Sequence, residues 1–149
     1  MNTLEREYTD LECALDDVRA TLTEWADAGT DADPTAESLR HARLVVQEWV
    51  ANLLKHAQFG DRAPTLHIRL RSENHSVHCE IRDNSEGFDL DAALPPPSTP
   101  VDGLPEGGMG LRIMDACTAS LSYTSQADGR HCLEFSIPAD HDPWLSTPF

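Results

Sequence analysis

Basic side chains are scarce in this chain: 11 Lys and Arg stand against 26 Asp and Glu, a formal net charge of -15. A surface of that sign repels phosphate backbones and anionic headgroups, which argues against nucleic acid and membranes as partners. Solubility, an acid-rich proteome adapted to high salt, or an acidic face for a protein partner would each account for the excess. No apolar run approaches the roughly 20 residues that a spanning helix needs. The stretch Met1 to Asp10 carries Glu5, Arg6, Glu7 and Asp10 without an apolar centre, unlike a signal peptide. Cysteine is sparse: Cys13, Cys79, Cys117 and Cys132 form no CxxC pair, and each neighbourhood reads as a helix or strand interior. Reduced thiols in a cytoplasmic protein are expected. Missing too are the GKS or GKT of a P-loop, a GxGxxG dinucleotide fingerprint and a nucleophile elbow, so those routes to phosphate binding and acyl transfer are unsupported. His75, His78 and Cys79 sit close together, but strand alternation separates adjacent side chains and no second ligand pair has a recognised spacing.

A length of 149 residues predicts one domain, 1–149, with its core at about 10–138 and a polar tail over 140–149 in which Trp144 and Phe149 are candidate anchors. After a short N-terminal edge strand, Leu11, Leu15, Val18, Leu22 and Trp25 recur at helical spacing until Gly29. Thr35 and Ser38 offer caps for a second helix carrying Leu39, Ala42, Val45, Val46, Trp49, Val50, Leu53, Leu54 and Ala57, closing near Phe59 and Gly60. Period two then replaces period 3.6: Leu66, Ile68 and Leu70 alternate, a polar turn spans Ser72 to His75, and Val77, Cys79 and Ile81 alternate again. From Asp83 to Gly108 the pattern dissolves into Gly, Pro, Ser and Asp, including Pro95, Pro96, Pro97 and Pro100; a connector of this length is usually functional or disordered. Leu111, Ile113, Met114 and Cys117 mark a third helix, and Leu121, Tyr123, an Ala127–Asp128–Gly129 turn, Leu133, Phe135 and Ile137 mark a closing hairpin. The expected fold class is α+β: a two-layer sandwich with a mixed, mostly antiparallel sheet and helices on one face.

Three segments carry chemistry-bearing residues. On the second helix Glu48, Asn52 and His56 follow at i, i+4 and i+8 and project from nearly one side, with Lys55 beside them. A solvated helix face would show the same stripe. At the end of the fourth hydrophobic run, Asp83, Asn84, Ser85, Glu86, Gly87, Phe88 and Asp89 form an acidic, small-residue turn. Asp83 there could accept a hydrogen bond from an amine, or it could simply close an Asx turn. Finally Glu106, Gly107, Gly108, Met109, Gly110 and Leu111 open a helix, where missing β-carbons let backbone N–H groups approach an anion. Each segment alone is weak, and their order and spacing in one short chain raise them together.

The combination ExxxNxxxH, DxSxGFD after a hairpin, a long lid and GxGL resembles the GHKL superfamily of Bergerat-fold ATPases and kinases. Within it the chain looks most like the bacterial anti-sigma-factor serine/threonine kinases, over residues 10–138. That resemblance implies ATP and magnesium as cofactors. It implies that Asn52 ligates the magnesium and that Glu48 is the catalytic base. Asp83 would hold the adenine amine, with Ser85, Gly87 and Phe88 shaping the base pocket. Gly108, Met109, Gly110 and Leu111 would close over the phosphates, near Lys55 and His56. The implied function is a protein serine/threonine kinase whose partners are an anti-sigma-factor antagonist and a sigma factor, and the likeness also points to a homodimer. Two other functions compete: a non-catalytic binding module, and a histidine-kinase-type ATPase domain acting in trans. Three positions depart from the family pattern. Ser85 stands for the first glycine of DxGxG, Pro95 to Pro97 stiffen the lid, and Cys132 lies near the usual place of a threonine on the closing hairpin. These departures are expected to weaken nucleotide binding while leaving the fold intact.

Overall fold

Alternating and helical apolar patterns fold here into two layers, as a computed structural model shows for residues 2–28, 36–87 and 108–139. The elements run β1 (Asn2–Tyr8), α1 (Leu11–Ala28), α2 (Ala36–His56), β2 (Leu66–Glu73), β3 (Ser76–Asp83), α3 (Gly108–Cys117), β4 (Ser120–Ser125) and β5 (His131–Pro138). The sheet order is β1-β2-β3-β5-β4, and all four pairings are antiparallel, with no parallel pair among the described residues. The α+β sandwich with helices on one face is therefore the observed architecture. The lid residues 88–107 and the tail 140–149, with Phe88, Pro95 to Pro97, Trp144 and Phe149, lie outside the described residues.

Period-two burial fixes which side of the sheet meets the helices. Leu66, Ile68 and Leu70 of β2, Val77, Cys79 and Ile81 of β3, and Leu133, Phe135 and Ile137 of β5 share one buried core with Val45, Val46, Trp49, Val50 and Leu53 of α2. Helix α2 is the central layer element, packing on α1, α3, β3 and β5. The opposite sheet face carries charged side chains, and Arg82 pairs there with Glu80 at 3.1 Å.

The ends of the elements are fixed by local chemistry. Asp10 caps α1, its Oδ1 accepting from the N–H groups of Glu12 and Cys13 at 2.9 and 3.1 Å. Helix α2 stops at His56, earlier than the apolar period suggests, and the N–H of Ala57 makes a last helical bond to Leu53 O at 2.9 Å. Ser38, expected as a cap, is buried and donates to Pro138 O at 3.0 Å, tying the start of α2 to the end of β5. Asn74 and His75 both take positive φ, 53° and 59°, the conformation a two-residue hairpin turn requires. The four cysteines are free, and Cys13 is exposed rather than part of a helix interior, because the buried side of α1 is formed by Leu11, Ala14 and Val18.

Candidate functional site

Two neighbouring regions hold the residues singled out in the sequence, and α2 runs beside both. The first is a groove lined by Glu48, Ala51, Asn52, Lys55, His56, Gly110 and Leu111, enclosing an empty volume of about 320 Å³ that is partly open to solvent. Part of that volume is open solvent, so the groove is a shallow cleft rather than an enclosed cavity. The i, i+4, i+8 row of α2 thus lines a groove with the start of α3 as its other wall. Contact there is close: a β-carbon on Gly110 would lie 2.5 Å from Glu48 Oε2. Glycine at position 110 is what lets the Glu48 carboxylate reach the first turn of α3, where backbone N–H groups are unpaired by the helix itself. Gly108 and Met109 belong to the same turn. Lys55 and His56 also lie in the last turn of α2, where cations complement the helix dipole.

The second region forms where β3 ends and β5 begins. Asp83 is paired in register with His131, and its side chain is fully buried. Its Oδ1 accepts from the backbone N–H of Ser85 at 2.9 Å and from the Ser85 hydroxyl. Its Oδ2 accepts from the Tyr123 hydroxyl at 2.9 Å. Ser85 Oγ in turn accepts from the Gly87 N–H at 3.1 Å. Ser85 is absent from the non-glycine residues with positive φ, so serine replaces the motif's first glycine without backbone strain and clasps the aspartate. Asn84 braces this turn from outside, accepting from Thr65 N and donating to Ala63 O, both at 2.8 Å.

Rings close the region. Tyr123 stacks on His131 with centroids 5.4 Å apart and meets Trp49 edge-on at 4.9 Å. The His131 imidazole lies against the α-carbon of Gly87, whose φ is 74°; a β-carbon there would come within 2.3 Å of Nε2. His131 Nδ1 is buried with no hydrogen-bond partner. Burial, and then the charge of Asp83, push the Tyr123 hydroxyl well above the usual phenol range, so it stays a donor.

Tyr123 and His131 were missed as site residues in the sequence, where Tyr123 reads as an ordinary strand position. The weight given to Cys132 was misplaced by one residue. Cys132 pairs with Arg82 and Thr124, and alternation turns it to the face away from α2, beside Glu80 and Glu134. His131 is the residue that faces Asp83. The available signal was the inward parity of Leu133, which also sends residue 131 inward. Of the expected base-pocket residues, Asp83, Ser85 and Gly87 come together here, whereas Phe88 lies outside the described residues.

Residues 9–137 match the histidine kinase-like ATPase domain family. The chain belongs to this family. It is 34% identical over 84 residues to an anti-sigma F factor of Anoxybacillus flavithermus, covering 56% of this chain and 58% of that one. The anti-sigma F factor of Bacillus licheniformis is 32% identical over 97 residues, 64% of this chain and 66% of the relative. That of Bacillus thuringiensis is 37% identical over 84 residues, 56% and 58% respectively. The matched stretch thus spans about three-fifths of the length of these curated relatives. An ATPase domain implies ATP as ligand. The donor set of the groove would fit a phosphate chain: an amide oxygen at Asn52, a carboxylate at Glu48, basic side chains at Lys55 and His56, and a glycine-opened helix start. In the second region the oxygens of Asp83 are engaged by the chain's own hydroxyls. No helix among the described residues is long and apolar enough to cross a membrane.

Proposed function

We propose that this chain is an ATP- and magnesium-dependent protein serine/threonine kinase that acts in the cytoplasm as an anti-sigma factor and phosphorylates a small anti-sigma-factor antagonist. The observation that carries this reading is the pairing on α2 of Glu48 with Asn52, one turn apart, in a groove whose far wall is the start of α3. The likeness to anti-sigma F factors supports the same reading. When bound, ATP would supply the phosphoryl group and magnesium would neutralise the charge that develops on it.

Each residue of the groove then has a task. Asn52 would hold the magnesium through its neutral amide oxygen, the kind of ligand a hard cation takes. Glu48 accepts the proton of the attacking serine or threonine hydroxyl. Lys55 and His56 sit where they can bind phosphate oxygens, and the start of α3 presents N–H groups to the same anion. The sigma factor would be the second partner, and a second copy of the chain is included in the proposal, since β1 forms one edge of the described sheet.

Incubation with labelled ATP and an antagonist-type protein tests this directly. Phosphoserine or phosphothreonine should appear on the antagonist. Glu48→Ala should abolish transfer and leave nucleotide affinity within a few-fold. Transfer that persists in this variant would remove Glu48 as the base, and acid-labile phosphohistidine would point to an ATPase domain acting in trans. The engaged state of Asp83 favours a second reading, a binding module without catalysis. In that case the antagonist and sigma factor bind, but no phosphate moves.

A further inference from the structure

Resting on the proposed nucleotide-binding role, we infer that Tyr123 and His131 occupy the base subsite of this chain, and that Tyr123 must release Asp83 before a purine can enter. The family reading gives Asp83 one task, acceptance of a hydrogen bond from the exocyclic amine of the base. In this structure that task is already performed internally: Tyr123 donates to Oδ2 and Ser85 to Oδ1, and no part of the carboxylate is exposed. The flat space beside it is filled as well. His131 lies against Gly87, the glycine that would otherwise leave room for a base, and Tyr123 stacks on its ring.

The groove lined by α2's polar row has none of Asp83, Ser85, Gly87, Tyr123 or His131 in its wall. The side chains that engage Asp83 therefore leave the proposed phosphate groove untouched. His131 Nδ1 is a buried ring nitrogen without a protein hydrogen-bond partner in this arrangement. Rotation of Tyr123 away from Asp83 exchanges a phenol donor for an amine donor and frees a stacking surface. Trp49, edge-on to Tyr123, sits next to the space that rotation vacates. Tyr123 and His131 thereby decide which nucleotides enter and how tightly, since a base lacking a donor at this edge cannot replace the tyrosine hydroxyl.

Titration of the full chain with magnesium and ADP, beside Tyr123→Phe and His131→Ala, tests the inference. Tyr123→Phe keeps the ring but leaves buried Asp83 short of a donor until the base arrives, so its Kd for ADP should be at least tenfold lower than that of the unaltered chain. His131→Ala should shift the affinity in the same direction. A second readout needs no variant: with only two tyrosines in the chain, labelling tyrosine with carbon-13 gives two resolvable ring signals. The Tyr123 signal should move on saturation with ADP while that of Tyr8 stays. Equal or weaker ADP binding in Tyr123→Phe, with an unmoved Tyr123 signal in the ADP-bound chain, overturns the inference and leaves nucleotide binding intact. Absence of ADP binding in the unaltered chain and in both variants overturns the nucleotide role itself, and the inference with it.

Discussion

Ser85 shows how one hydroxyl can replace a glycine and add a task. It donates to Asp83 and accepts from Gly87 N–H, both inside the turn. Ser85→Ala removes both bonds at a buried position and should lower stability by about 1–3 kcal/mol, a cost set by leaving buried groups short of a partner. Thermal unfolding measures this, and an unchanged Tm would mean that the clasp contributes nothing. The buried thiols give a pH signature. Burial is the largest cause that raises Cys79, Cys117 and Cys132, and Cys132 is pushed up from 9.0 to about 11. A folded state that holds these protons more tightly than the unfolded chain keeps that stability in full below about pH 9 and loses it as pH rises toward 11. Tm should therefore be level from pH 7 to 8.5 and fall by pH 11; a Tm that rises across that window contradicts the assignment.

At the level of elements, α2 does two jobs on two sides. Val46, Trp49, Val50 and Leu53 are buried, while Glu48, Asn52, Lys55 and His56 line the groove. Leu53→Ala should cost about 2–5 kcal/mol, the range for truncating a fully buried leucine. Gly110→Ala separates packing from function. The colliding atom is the mobile tip of Glu48, so the fold should lose at most about 1 kcal/mol, while the displaced carboxylate should cut phosphoryl transfer at least tenfold. Parallel measurements of Tm and transfer check this, and full activity in that variant would detach Glu48 from the chemistry. The helices and strands themselves were legible because their apolar periods are unmixed: 3.6 over Leu39–Ala57 and two over Leu66–Ile81. What stayed hidden depends on register between distant strands. Whether residue 131 or 132 faces Asp83 is a one-residue question, and a shift of one residue exchanges sheet faces. Local sequence around Cys132 carries no trace of Asp83, which lies on another strand.

Across the whole molecule, the sheet order places the start of β5 beside the end of β3, and this brings Asp83, His131 and Tyr123 together from three separated segments. The groove residues were easier to find, since most share one helix and the rest open the next. The aromatic closure of Asp83 could not be read from motifs, because the hydroxyl that engages it comes from the edge strand β4, forty residues away. Glu48 and Asn52 are the centre of the functional account, and binding of a magnesium-bound nucleotide in their groove is its first requirement. Calorimetric titration with ATP in the presence and absence of magnesium, on the unaltered chain and on Asn52→Ala, tests that requirement most directly. The account predicts magnesium-dependent binding by the unaltered chain and at least tenfold weaker binding by Asn52→Ala. Binding that ignores both magnesium and Asn52, or no binding at all, would contradict it.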